Sequence, residues 1–491
     1  MYQKFKKLGK DSMVYMAGTL ISKLIGFALI PVYTRIFSPQ DYGILDIVSI
    51  SSVIIITVSN LGLTTALSIF YFQTEDQNNK KTFISSNFIF SIFINVLICA
   101  LVIIFSRPLA ITFLKNADYA KYLILSVLAI PFSAIINFGS GLFRLGLKPI
   151  KYFYIILGNS LFGVVLSIYL VIFRKMGLQG ALLSLLISSI IFAVISIYLT
   201  KHHFNWKFSS QKLKLMLKVG LPLAPASFMV WIMDSSGRYF LAHFRTMSDI
   251  GLYSLGFKFA SILVLITAAF RLANAPFQLS IASEAQAKTI YAKTLTYYLL
   301  MTFFVAAGLS MFSKEILSLL TSPDYINSYK IIPPLTFSFI ADGIYQIVGI
   351  GLLISRKTQY MTYGVIAGAL AALGFNALLA PRWGILGVAF ATLLAYAVGL
   401  VLIYFWNQKY YHINFELKKI FKLLIFSLGF IILSFLSYFL LTPLPMIIFK
   451  SFLMIILGLI FYFSLEINER NKIWFLARNI FRKIKFRLGY K

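Results

Sequence analysis

Acidic side chains are scarce in this 491-residue chain: 15 Asp+Glu stand against 45 Lys+Arg, giving a formal net charge of +30. Cysteine is scarcer still. The single Cys99 excludes an intrachain disulfide, and no CxxC or Cys/His cluster has metal-ligand spacing. His202, His203, His243 and His412 are too scattered for a metal site, so no metal is expected. Charge of either sign is thin, at 12% of residues against roughly 25% in a soluble domain. HExxH, a P-loop, a GxSxG in context and an ATP-binding domain are all missing. No catalytic residue, cofactor or enzymatic activity is therefore expected.

Apolar residues make up 59% of the chain. Runs of about 20 of them, enough to cross a ~30 Å hydrocarbon core as helix, recur from Met13 almost to the end. Bounded by Gly, Pro and charge, they predict an all-α membrane protein of fourteen transmembrane helices, at 13–35, 42–71, 83–105, 122–143, 152–173, 180–200, 219–243, 251–271, 291–312, 331–354, 360–380, 385–406, 421–441 and 445–463. MYQKFKKLGKDS leads straight into a long apolar run without a small-residue cleavage site, so the first span is expected to be retained.

Fourteen spans place both termini on one side. With the termini cytoplasmic, 31 of the 45 Lys+Arg fall on the inner side, as the positive-inside bias requires. The large positive charge then reflects topology and attraction to anionic lipid, not nucleic acid. The tail NKIWFLARNIFRKIKFRLGYK interleaves Trp474, Phe475, Ile480 and Phe481 with seven Lys/Arg. It reads as a helix on the inner membrane surface. A shorter basic stretch, QKLKLMLK, links spans six and seven.

PVYTRIFSPQDYGILDIV interrupts the apolar pattern for only a few residues, with Pro39 and Gly43 supplying a turn between two antiparallel spans. It has a partner: DYGILDI around Gly43 and DIGLYSLG around Gly251 lie 208 residues apart, with Arg35 and Arg245 on the preceding side. RKMGLQGALLS and PRWGILGVAFA match at 207, Gly177 to Gly384, and the hairpins FRLGLKPIKY and ISRKTQYMTY fall in the same relation. Three matches at one spacing are a repeat. Six spans return the chain to the same side, so the halves are expected as parallel repeats around a central cavity. The division expected is an N-terminal six-helix lobe at 1–200, a basic cytoplasmic linker at 201–218, a C-terminal six-helix lobe at 219–406, accessory helices at 407–463 and a basic amphipathic tail at 464–491.

KLIGFALIPVYTRIFSPQDYGILDI, GLPLAP at 220–225, the GLK-P-IKY loop and the two Gly-apolar-x-Gly hairpins resemble one family. It is the polysaccharide transporter branch of the multidrug/oligosaccharidyl-lipid/polysaccharide exporter superfamily, which includes Wzx-type O-antigen and capsule flippases. The resemblance covers about residues 1–406. It implies a V of two lobes and movement of an undecaprenyl-pyrophosphate-linked oligosaccharide from inner to outer leaflet by alternating access. It also implies a bacterial cytoplasmic membrane location, and lipid-linked oligosaccharide, membrane lipids, a polysaccharide polymerase and glycosyltransferases as partners. ISKLIGF also resembles the first helix of lipid II flippases, with Lys23 where those carry arginine. Their following Arg-Asp pair is here Leu29-Ile30. A cation-coupled multidrug exporter of the same superfamily is the rival reading, and a membrane-embedded transferase or polymerase a third. The first span holds no carboxylate, which favours an anionic cargo, and the outer hairpins are short, which disfavours a polymerase.

Ionisable side chains at membrane depth mark pathways or internal partners. Lys23 and Lys258 are the leading candidates for a pyrophosphate headgroup, which needs cations to replace its hydration. Arg238, Arg144 and Lys148 are further substrate-contact candidates. Asp234 and Arg238, four apart, are placed for an internal pair, and Asp46 is a potential partner of Lys23. Asp342, alone in an apolar helix with Gln346 one turn on, is a candidate for proton coupling. Arg35 and Arg245 are read as outer interface anchors.

Overall fold

The computed structural model of the chain describes residues 2–440, 442–467 and 469–471, and the basic tail expected at 464–491 lies largely outside them. Every regular element among the described residues is helical. In lipid no water satisfies backbone N–H and C=O groups, so a chain this apolar closes its hydrogen bonds within helices.

Among the described residues, thirteen helical segments are long and apolar enough to cross a membrane. They are α1 (Val14–Ile36), α2 (Pro39–Gln73), α3 (Gln77–Ile104), α4 (Ala117–Leu145), α5 (Pro149–Phe173), α6 (Gly177–His203), α7 (Ser210–Phe244), α8 (Met247–Ser280), α9 (Ala287–Met311), α10 (Pro323–Ile354), α11 (Gln359–Tyr410), α12 (Leu417–Leu440) and α13 (Pro443–Ser464). The expected fourteen and these thirteen differ at α11. It is 52 residues long and leaves helical geometry at Gly384, where φ is 56° and ψ is −129°. Its two arms run back along each other, since the Gly364 carbonyl lies against Gly399 and the Ala395 carbonyl against Gly368.

The predicted repeat is visible in the backbone. Ser38 and Asp41 form a reciprocal capping box that starts α2, and Thr246 and Asp249, 208 residues later, form the same box at the start of α8. Gly177 and Gly384 both take φ of +56°. The hairpins at 143–152 and 354–363 match as well: Lys148 N–H donates to Phe143 O at 2.8 Å, and Lys357 N–H donates to Leu352 O at 2.8 Å. Leu147 and Arg356 hold the left-handed position in those two turns.

The halves meet where α2 and α8 begin. A Cβ on Gly43 would collide with the Met247 carbonyl, and one on Gly251 with the Pro39 carbonyl, so the two helices touch backbone to backbone. Around this point the Tyr325 hydroxyl donates to Phe37 O at 2.9 Å and the Tyr42 and Tyr325 rings pack edge to face. We call this the upper end. The opposite, lower end carries the turns at 146–148, 204–209 and 355–358. There α7 opens with an amphipathic stretch, Ser210–Gly220, that buries Leu213 and Met216 against the lower part of α2. α12 and α13 dock on α9. Lys450, fully buried in α13, pairs with Glu315 at 2.6 Å over the Tyr438 ring.

Gly43→Ala and Gly251→Ala should each lower the thermal unfolding midpoint in detergent, by the equivalent of about 1–3 kcal/mol of overpacking strain. Gly26→Ala and Gly141→Ala, where a Cβ meets nothing within 4 Å, should leave it unchanged.

Candidate functional site

Toward the lower end a cavity of about 330 Å³ opens between the halves. α1 contributes Tyr15, Thr19 and Lys23 to its wall, and the α4–α5 turn region contributes Arg144 and Tyr152. The opposite wall, from α8, is Leu265, Ala268 and Ala269. Helical spacing puts Tyr15, Thr19 and Lys23 on one face, four residues apart. The frame is fixed by polar contacts: the Tyr15 hydroxyl donates to Phe143 O at 3.3 Å, and the Thr19 and Tyr152 hydroxyls bond at 3.0 Å. Arg144 lies over the Tyr152 ring, 5.9 Å from its centroid. Two cations thus share one cavity, an arrangement suited to a multiply charged anion.

The upper end holds further intramembrane charges, and here the partners differ from those expected. Arg238 does not pair with the carboxylate of Asp234 on its own helix. Its Nε meets Asp46 Oδ2 of α2 at 2.7 Å, while its Nη1 donates to the backbone oxygen of Asp234 at 2.8 Å. The guanidinium is flanked by Phe257 and Tyr253, at 4.3 and 5.2 Å from their ring centroids. The close approach of α2 brings Asp46 within reach, so the pair forms across the halves, and Asp46 is not the partner of Lys23. Asp234 instead accepts from the Tyr396 hydroxyl at 2.5 Å. Lys258 Nζ donates to the Tyr42 hydroxyl at 2.8 Å, another contact across the halves. Ser51 and Tyr239 add a hydroxyl pair at 2.9 Å.

The remaining expected residues are dispersed. Lys148 is the N-cap of the helix that begins α5, in the lower-end turn. Arg35 ends the α1 region exposed at the upper end. Arg245 caps the first arm of α11, donating from Nη2 to Pro381 O at 2.7 Å and to Arg382 O at 3.2 Å, and from Nε to Ala380 O at 3.4 Å. Asp342 bonds Gln346, with Arg271 as the opposing charge.

Arg271 was expected to close the eighth span, but α8 runs on to Ser280. It lines a separate cavity of about 150 Å³ with Asn274, Gln278, Tyr298 and Gln346. Charge at a span end resembles a terminator in sequence, whereas a helix facing a polar cavity tolerates it. Lys450 and Tyr396 were also missed; each lies in an apolar run without a sequence neighbour to betray its partner. Among the described residues no group of His, Cys, Asp and Glu could hold a metal ion.

Residues 32–330 match the family described as polysaccharide biosynthesis protein. A protein of the Lsg locus of Haemophilus influenzae is 23% identical over 277 residues, which are 55% of this chain and 66% of that protein. The chain therefore spans just under two thirds of this relative. A solved lipid II flippase, MurJ, in an inward closed conformation matches with a TM-score of 0.74 at 19% identity, covering 91% of this chain and 98% of the other. A MATE transporter of Vibrio cholerae, VcmN, matches with a TM-score of 0.59 at 16% identity, covering 82% and 96%. Both likenesses show a common fold.

Asp46→Ala should leave a buried guanidinium unpaired and cost about 3–5 kcal/mol, read as a lowered unfolding midpoint. The double variant Asp46→Ala/Arg238→Ala should lose less than the two singles combined, by ~0.5–3 kcal/mol. Strict additivity would mean that the pair contributes no coupling.

Proposed function

We propose, from the premise that this chain belongs to the polysaccharide biosynthesis protein family, that it is a multi-pass flippase for an undecaprenyl-pyrophosphate-linked oligosaccharide. It works as a transporter, not an enzyme. The observation that carries this reading is the placement of Lys23 and Arg144 in one lower cavity while cross-half contacts close the upper end. A headgroup entering from the lower side meets both cations and cannot pass through.

In this reading the lower end is cytoplasmic, in a bacterial inner membrane, and both termini lie on that side. Residues 1–200 and 219–406 act as two six-helix lobes joined by the 201–218 linker, and 407–463 rides on the second lobe. Lys23 and Arg144 receive the pyrophosphate, and Lys148 guides it at the entrance. Rocking of the lobes breaks Asp46–Arg238 and Lys258–Tyr42, so Arg238 and Lys258 become cations for the departing headgroup. Asp342 and Asp234 are the carboxylates available for ion coupling. Arg35 and Arg245 stay at the outer interface. The cargo is a repeat unit for a surface polysaccharide such as O-antigen or capsule, delivered by glycosyltransferases and consumed by a polymerase. Among the described residues the cavity wall holds two cations and no carboxylate, which opposes the cationic cargo of a drug exporter.

Removal of the protein from its host should build up the complete lipid-linked repeat unit on the cytoplasmic side. Lys23→Ala should fail to relieve that build-up, and Lys23→Arg should relieve most of it. No build-up, with altered tolerance to cationic drugs instead, would overturn the flippase reading in favour of export.

A further inference from the structure

The lower cavity has a neighbour that the flippase reading leaves unused. Inside the first half, enclosed by α2, α3, α4 and the start of α5, lies a second chamber of about 310 Å³. It falls near the lower end of the ~300–1,000 Å³ typical of small-molecule sites. Four asparagines, Asn60, Asn87, Asn95 and Asn137, face it, with no acidic group among the described residues of its wall. Arg144 and Tyr152 line both this chamber and the Lys23 cavity, so the two spaces meet at one shared pair of side chains.

The chamber is a built structure. Along α3, Asn87, Ser91 and Asn95 recur every four residues on one face. Ser59 donates to Asn95 Oδ1 at 3.0 Å, Asn95 Nδ2 to Ser91 O at 2.7 Å, Ser91 to Asn87 Oδ1 at 3.0 Å, and Asn87 Nδ2 to Leu63 O at 3.3 Å. This ladder ties α3 to α2 beside the break at Leu61 and Gly62, where α2 leaves helical geometry. Asn87 and Asn95 are thereby fixed as frame, at 2% and 3% exposure. Asn60 and Asn137 are exposed to the open space.

Amides carry both donors and an acceptor, which matches the dual character of a hydroxyl. A chamber walled by amides and entered past one arginine suits a neutral polyol attached to an anion. The rings of Phe138 and Tyr152 add flat apolar surface for C–H groups. The ladder already satisfies Asn87 and Asn95, so an occupant would meet chiefly the exposed amides of Asn60 and Asn137.

We infer that the asparagine chamber is the sugar subsite: the glycan residue next to the pyrophosphate enters the first half, past Arg144, while the phosphates stay between Arg144 and Lys23. This rests on the flippase reading and adds to it a direction of binding. Headgroup recognition belongs to the first half alone, and the second half presents only Leu265, Ala268 and Ala269 to the phosphates.

The test compares two probes on purified protein in nanodiscs: undecaprenyl pyrophosphate, and the lipid-linked oligosaccharide extracted from a host lacking this protein. Wild type should bind the glycosylated lipid about tenfold more tightly, as one or two net hydrogen bonds allow. Asn137→Leu and Asn60→Leu should each shrink that preference toward one while leaving undecaprenyl pyrophosphate binding unchanged, which also reports an intact fold. Lys23→Gln should weaken both probes alike. A wild-type preference of one, or a preference untouched by both asparagine variants, overturns the sugar subsite. Failure of wild type to bind either lipid overturns the flippase reading itself.

Discussion

The contact that organises this molecule has no side chains in it. Gly43 and Gly251 let α2 and α8 approach until backbone meets backbone, and the other contacts at the upper end follow from that distance. Asp46 reaches Arg238, Lys258 reaches Tyr42 and Tyr325 reaches the Phe37 carbonyl because the two helices are held this close. Dispersion between small residues is the usual cement of helices in lipid, where no hydrophobic force draws them together. Here it also sets which end of the bundle is shut and leaves the space at the other end.

The backbone repeats at its hairpins, but the chemistry does not. At the 208-residue spacing of the two capping boxes, Asp46 corresponds to Ser254 and Arg238 to Ile30. The buried pair therefore has no mirror image. The cations of the lower cavity and the asparagine ladder both belong to the first half. In the proposed flippase, a duplicated scaffold would supply the motion, and divergence of a few polar positions would decide what is moved.

Much of this was legible in the sequence, and the reasons are physical. Spans follow from the cost of exposing backbone to lipid, so apolar length alone reveals them. Hairpin matches such as Gly177 with Gly384 were readable because a backbone like that at Gly384, with φ 56° and ψ −129°, is open to glycine and little else. The rendezvous of Lys23 and Arg144 was not readable, since 121 residues and a membrane separate them along the chain. Arg238 shows why local rules fail: the four-residue spacing to Asp234 promised a pair on one helix, but a carboxylate on a helix nearly 200 residues away lay closer to the guanidinium. Asparagine carries no charge, so a row of amides at helical spacing passes unnoticed among serines until a cavity is seen beside it.

The buried Asp46–Arg238 pair can also be viewed as a setting on an equilibrium. If opening the upper end costs the empty protein about 3.5 kcal/mol, the open-upper state is populated at well under one part in a hundred. In the proposed flippase, a route meant for a glycan is then also a tight seal for protons and ions when nothing is bound. Only a cargo that binds the opened form several hundredfold better than the closed one lifts that ban. Selectivity and membrane integrity are the same free energy seen from two sides.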